Sequence, residues 1–332
     1  MVIDVHAHCI PDEFRDWLVG HGPRVGAEIV EGRDGACVQF RDGPRTGSQY
    51  SWPSMSDTGA RIAEMDRMGI DVQLLSGWID LAGYEVPVET ALEYARAHNE
   101  ALAAVEAVSP TRFRTLGTAP LQDPSAATAA LEHAIGDLGM AGLQLATRVG
   151  DRFIHEQPGL EEFWAAAAGV GALLVLHPLR PLSGVDLAPY FLENTVGRPA
   201  ESSIALAGLL LSGVLARHPD LKLCVVHGGG FVPFQLGRLD RSFREVPGLT
   251  AQAIDRPPSS YMESVYVDTI VHDPTALRFL IDRLGPGHVV LGTDYPFPMG
   301  DDDPVALVDS VAGLAGGDRE AILGGNLARL LS

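Results

Sequence analysis

Cysteine, basic residues and long apolar runs are all scarce in this 332-residue chain. The three cysteines (Cys9, Cys37 and Cys224) are odd in number and far apart. No disulfide framework is implied, and a reducing cytoplasm is the expected compartment. Lysine and arginine together number 24 against 43 acids, a net charge of −19. That balance argues against nucleic acid or an anionic membrane as a partner, although a local group of arginines can still hold an anionic substrate. No apolar stretch reaches membrane-spanning length; the longest, 204–216, is interrupted by Gly208, Ser212 and Gly213. A first strand beginning at residue 2 leaves no room for a cleavable signal peptide. Internal repeats and low-complexity tracts are missing too. What remains is a globular composition, 46% hydrophobic and 20% charged, long enough for one large α/β barrel.

The chain opens on Val2-Ile3-Asp4-Val5-His6-Ala7-His8, a β-branched run ending in two histidines one residue apart. On a strand, residues i and i+2 point to the same side, so both imidazoles face one way and form half of a divalent metal site. Further strand-like runs end in His177, His227 and Asp294. Strand-like segments are expected at 71–75, 113–117, 142–145, 172–176, 222–226, 265–268 and 288–293. Helices are expected between and after them at 59–68, 88–108, 125–138, 160–168, 201–217, 232–243, 275–284, 304–315 and 319–331. Eight strands with intervening helices predict a (β/α)₈ TIM barrel filling 1–332 as a single metal-dependent domain. Residues 12–57 break the alternation and are rich in Gly, Arg, Asp and Ser, with one strand-like run at 36–40. They are expected to be a small inserted lid subdomain leaving from strand 1 over the catalytic rim.

Barrel enzymes place their chemistry at the C-terminal ends of strands. Strands 1 and 8 are neighbours in a closed barrel, so Asp294 reaches the same metal as His6 and His8, and strand 5 supplies His177 from across the mouth. Three imidazoles and one carboxylate suit Zn²⁺, with a further position open to water; Mn²⁺, Fe²⁺ and Co²⁺ are alternatives. His227 heads Val226-His227-Gly228-Gly229-Gly230 and reads as a general acid/base beside the metal, a fourth imidazole ligand being the competing reading. Cys9 adjoins the ligand pair, but alternation turns it away.

Six motifs occur in order: Ile3-Asp4-Val5-His6-Ala7-His8, Ala119-Pro120-Leu121-Gln122-Asp123, Val175-Leu176-His177-Pro178, His227-Gly228-Gly229-Gly230, Arg256-Pro257-Pro258-Ser259 and Leu291-Gly292-Thr293-Asp294-Tyr295-Pro296-Phe297-Pro298. With them the chain resembles the aminocarboxymuconate-semialdehyde decarboxylase branch of the amidohydrolase superfamily over essentially its whole length. The resemblance implies a single zinc held by His6, His8, His177 and Asp294, with His227 as catalytic acid/base. It also implies a homodimer and cofactor-free, non-oxidative decarboxylation. Two arginines would hold substrate carboxylates, one from the lid segment, where Arg45 stands, and one from the neighbouring subunit, where this chain has Val246. Leu179 stands where the relative has tryptophan.

Other rim residues offer compensation. Arg148 follows strand 4 and Arg180 follows strand 5, each able to meet a carboxylate bidentately. Trp78, after strand 2, can stack on an unsaturated or aromatic substrate; Phe297 is a further substrate contact, and His272, after strand 7, a further pocket candidate. The reading is a metal-dependent carboxy-lyase acting on a small unsaturated or aromatic carboxylic acid, with Asp294 both binding metal and helping the proton relay. The alternative is a hydrolase of a lactone or amide, or a hydratase, in the same barrel. A catalytically silent metal barrel serving as a scaffold is a further class, opposed by His227 and the open coordination. Excess aliphatic surface on the helix around 204–215 is compatible with a dimer interface.

Overall fold

The computed structural model describes residues 1–179, 182 and 184–332. Eight strands run parallel in the order of the chain: β1 (Ile3–Cys9), β2 (Val72–Gly77), β3 (Phe113–Gly117), β4 (Gly142–Ala146), β5 (Leu173–His177), β6 (Lys222–Val225), β7 (Val265–Asp268) and β8 (Val289–Val290). The sheet closes on itself where Val5 N donates to Leu291 O at 2.9 Å and Asp294 N to His6 O at 2.7 Å. All eight expected strands are present.

Asp4 reinforces the closure. Its carboxylate accepts from Thr293 N and Thr293 Oγ1 past β8, from Gln73 Nε2 on β2, and from His6 N. The register of β1 on β2 shifts between Asp4 and Ala7, so Asp4 stands where the ladder is interrupted and its oxygens take up amides left over there. Complete burial pushes this carboxyl up to about 6 despite those donors.

Aspartates start four of the returning helices. Asp57, Asp123, Asp273 and Asp303 each accept backbone N–H groups at the heads of Thr58–Met68, Pro124–Glu132, Pro274–Leu284 and Pro304–Asp309. In the last three the next residue is proline, whose fixed φ and missing N–H suit the first helical position. Four expected helices are shorter or broken. The one at 125–138 is α-helical over Pro124–Glu132 and then passes into a π-turn, His133–Asp137. The one at 201–217 is divided into Arg198–Leu211 and Val214–Arg217 at Gly213, where φ is 77°. The one at 304–315 stops at Asp309. The last is split among Gly316–Glu320, a π-turn Ala321–Gly325 and Asn326–Leu330.

The inserted segment holds more structure than expected. A helix, Asp12–Val25, precedes an antiparallel hairpin of Ala27–Gly32 and Gly35–Phe40. Its Phe14, Leu18, Val25, Val38 and Phe40 are buried in the main core. The helix escaped notice because Gly20, Gly22 and Pro23 dilute its apolar periodicity. The aliphatic surface expected on the 204–215 helix is also mostly internal: Ala205, Leu206, Leu209, Leu210 and Leu215 are buried. Exposed apolar side chains include Ile204 on that helix and, elsewhere, Phe231, Phe234, Val246, Leu249 and Phe279, with the Phe234 and Phe279 rings 6.0 Å apart.

Candidate active site at the mouth of the barrel

Strand ends bring His6, His8, His177 and Asp294 together, each buried, with one donor atom apiece lying within 4.8 Å of the others. The outer ring nitrogens are all spoken for. His6 Nδ1 stands 2.9 Å from Asp268 Oδ2. His8 Nδ1 faces Ser76 Oγ at 3.2 Å and Gly77 O at 3.4 Å, and His177 Nδ1 faces Pro178 O at 2.8 Å. Donation at these acceptors leaves each Nε2 as a lone pair. His6 Nε2 and His8 Nε2 then confront one another at 3.1 Å, with Asp294 Oδ1 3.4 Å and 3.3 Å away. Lone pairs so close repel unless a cation lies among them. The donor set therefore fits a single divalent metal.

The electrostatics at His8 and His177 agree. Burial lowers His8, and burial together with the neighbouring imidazoles lowers His177 well below the usual histidine range, so both are held neutral, as ligands must be. Burial also opposes charge on His6, but the carboxylates of Asp294 and Asp268 outweigh it and raise this group. Burial would raise Asp294, but His6, His227 and His8 together hold it well below the usual carboxylate range.

His227 stands outside this group. Its Nε2 is 3.7 Å from Asp294 Oδ2, the oxygen turned away from the other imidazoles. The backbone places it there by an uncommon route: His227 has φ 56°, and Gly228, Gly229 and Gly230 follow with φ of 63°, 75° and 62°. Only glycine takes up such a run without strain. Asp294 and His272 are left-handed as well, at 57° and 54°, so three of the five described non-glycine residues with positive φ, Tyr190 and Phe191 being the others, lie around this mouth.

A cavity of about 440 Å³ opens above, lined by His177, His227 and Asp294, with Trp78 and Phe297 among its walls. Phe297 packs edge-on to the His8 ring at 5.3 Å. Gly47, Gln49 and Trp52 of the inserted segment also line it. The candidate arginines fare differently. Arg45 is exposed, lies outside the lining and leans on Gln39. Arg148 is buried, 2.8 Å from Glu201, and packs over the Phe153 ring; its short strand-end loop folds it into the core rather than the cavity. Arg180 lies outside the described residues. His272 is exposed and borders an adjoining recess.

Sequence reasoning missed Asp268 and Arg198. Asp268 ends β7, so the strand-end rule that singled out the other residues points to it equally. Arg198 lines the cavity but comes from the long connection after β5, where no motif marks it.

A family model described as Amidohydrolase matches residues 3–332. The 2-amino-3-carboxymuconate-6-semialdehyde decarboxylase of Dictyostelium discoideum is 34% identical over 331 residues, covering 99% of this chain and 91% of the relative. Among solved structures, 5-carboxyvanillate decarboxylase from Sphingomonas paucimobilis superposes with a TM-score of 0.84 at 28% identity, covering 99% of this chain and 98% of the other. A dihydroxybenzoic acid decarboxylase from Polaromonas, solved with manganese and 2-nitroresorcinol, shares the fold with a TM-score of 0.79 at 22% identity, covering 99% and 96%.

Proposed function

Because the chain belongs to the Amidohydrolase family, we propose that it is a metal-dependent, non-oxidative decarboxylase of a small unsaturated or aromatic carboxylic acid. The observation that carries this reading is the Asp294 carboxylate, whose two oxygens face the clustered imidazoles on one side and His227 on the other. The decarboxylases among its relatives support the same reaction class.

His6, His8, His177 and Asp294 hold one divalent cation. Zinc suits this ligand set, and manganese is the metal of the Polaromonas relative. When bound, the cation supplies Lewis acidity toward a substrate oxygen. His227 then moves the proton. The bond between carbon and carboxylate breaks, its electron pair is taken up by that carbon and its conjugated system, and the carbon receives a proton from His227 as neutral CO₂ leaves. Asp294, whose Oδ2 lies 3.7 Å from His227 Nε2, stabilises the imidazole electrostatically while it is charged. The substrate's own conjugation is the electron sink, so no organic cofactor is required. Trp78 and Phe297 supply flat apolar walls, and the 12–57 segment, through Gly47, Gln49 and Trp52, covers the cavity.

The exposed Phe231, Phe234, Val246, Leu249 and Phe279 support a homodimer, with sedimentation of Phe234→Glu as its test. Three buried free cysteines fit a reducing cytoplasm, and among the described residues no helix is long and apolar enough to cross a membrane.

The reaction is tested by offering metal-loaded protein a panel of hydroxylated aromatic and unsaturated acids beside lactones and amides. Release of CO₂, abolished by a chelator and restored by zinc or manganese, is the expected result. Acid release from a lactone or amide, without CO₂ from any acid, would make the protein a hydrolase.

A further inference from the structure

Arg198 is the lone arginine, with no lysine beside it, among the described residues that line the cavity and its adjoining recess of about 270 Å³. The two hollows meet at Asn194, Arg198, His227, Asp294 and Met299. Arg198 Nη1 donates to Pro178 O at 3.1 Å, and that same carbonyl stands 2.8 Å from His177 Nδ1. One oxygen thus fixes both a metal-site imidazole and a guanidinium, which sets the guanidinium at a defined offset from the metal centre. A guanidinium carries five N–H donors, and Pro178 takes one. Asp80, Glu193 and Asp294 line the same cavity, and the hydrogen bond that Arg198 makes there is to the Pro178 carbonyl. In a chain of net charge −19, an arginine so placed does not belong to a general basic surface.

The geometry points to Arg198 as the anchor for a second anionic group of the substrate, one that is retained in the product. This rests on the decarboxylase reading, since the argument turns on what happens to charge. The carboxylate that departs becomes neutral CO₂. A guanidinium on that group would stabilise the ground state more than the transition state and slow the reaction. An anionic group that keeps its charge is bound alike before and after the step, and serves to orient the ring over the metal. Arg198 therefore selects planar acids bearing a second carboxylate. It stands in for the lid arginine, which here is exposed, and for the interface arginine, replaced by Val246.

Calorimetric titration of the metal-loaded protein with isophthalate and with benzoate tests this directly, because the two differ only in the second carboxylate. Wild type is expected to prefer isophthalate by roughly tenfold or more. Arg198→Met should abolish that preference at unchanged metal content, and Arg198→Lys, which keeps the charge without the fork, should restore part of it. An Arg198→Met protein that still prefers isophthalate, or a wild type with no preference, overturns the proposal. So does loss of metal together with the preference in both variants, which would make Arg198 a positioning residue for His177. Binding preference and CO₂ release are read separately: an Arg198-dependent preference in a protein that decarboxylates nothing leaves the anchor standing and removes the decarboxylase reading.

Discussion

Asp268 and Asp294 are both buried carboxylates set against imidazoles, and both are held below the usual carboxylate range by them against the opposing effect of burial. Their partners separate their work. Asp268 spends one oxygen on His6 Nδ1 and the other on Gly228 N and Ile270 N, so it orients a ligand from behind and ties it to the loop that carries His227. Asp268→Asn should therefore loosen the metal about 10–100-fold, read by competition with a chromogenic chelator; unaltered affinity would reduce Asp268 to a structural group. The His227 ring lies 5.3 Å from that of His6 and 5.4 Å from that of His177. Asn tolerates a positive φ better than Ala, which makes His227→Asn the cleaner substitution. It should keep its metal yet lose about 10²–10⁴-fold in turnover. Full turnover in a metal-loaded variant would take His227 out of the chemistry.

At the scale of elements, the strands were legible and the connections between them were not. Aliphatic runs ending in His177, His227 and Asp294 are contiguous signals, and the barrel rule converts them into positions around one mouth. The Asp12–Val25 helix, interrupted by glycine and proline, and the chain after β5 that delivers Arg198 depend on packing against distant residues, which no local pattern encodes. Arg148 shows the same limit, since a rim position alone does not reveal that Glu201 awaits it inside. Breaking that buried pair with Arg148→Met should destabilise the fold by about 3–5 kcal/mol in urea titration, whereas an arginine serving the substrate would leave stability intact. The loop after β6 makes a second test. Gly228 has φ 63°, and a Cβ there would lie 2.6 Å from Val271 Cγ1 and 3.1 Å from Leu280 Cδ1. Gly139, with φ 66°, has nothing within 4 Å. Gly139→Ala should cost only its backbone strain, about 1 kcal/mol, while Gly228→Ala should exceed this and also lower turnover by displacing His227. Equal stability losses with turnover preserved would show that the loop yields freely.

For the whole molecule, residues of the inserted segment are buried in the same core as the barrel, and that shared burial makes stability respond to acid. His98, on the helix Val88–Val108, stacks on Phe14 of the insert at 4.1 Å. Among the described residues neither of its ring nitrogens has a hydrogen-bond partner. Burial alone pushes this imidazole down to about 3. The folded protein thus holds His98 neutral, whereas the unfolded chain takes up a proton below about 6.5. The unfolded state binds more protons throughout that window, so the stabilisation from His98 is complete above 6.5 and is lost as pH falls toward 3, by about 1.4 kcal/mol per unit. Asp4, raised to about 6 by burial, works the opposite way, since the folded state is the better proton acceptor between roughly 4 and 6. The net slope mixes these terms with metal loss, and comparison with His98→Gln isolates the histidine. Urea unfolding of both proteins at pH 7.5 and 5.5 should show wild type losing about 1.4 kcal/mol more than the variant, roughly three-quarters of it below 6.5. Equal losses would mean that His98 takes up its proton inside the fold, and that the seam between insert and barrel admits water.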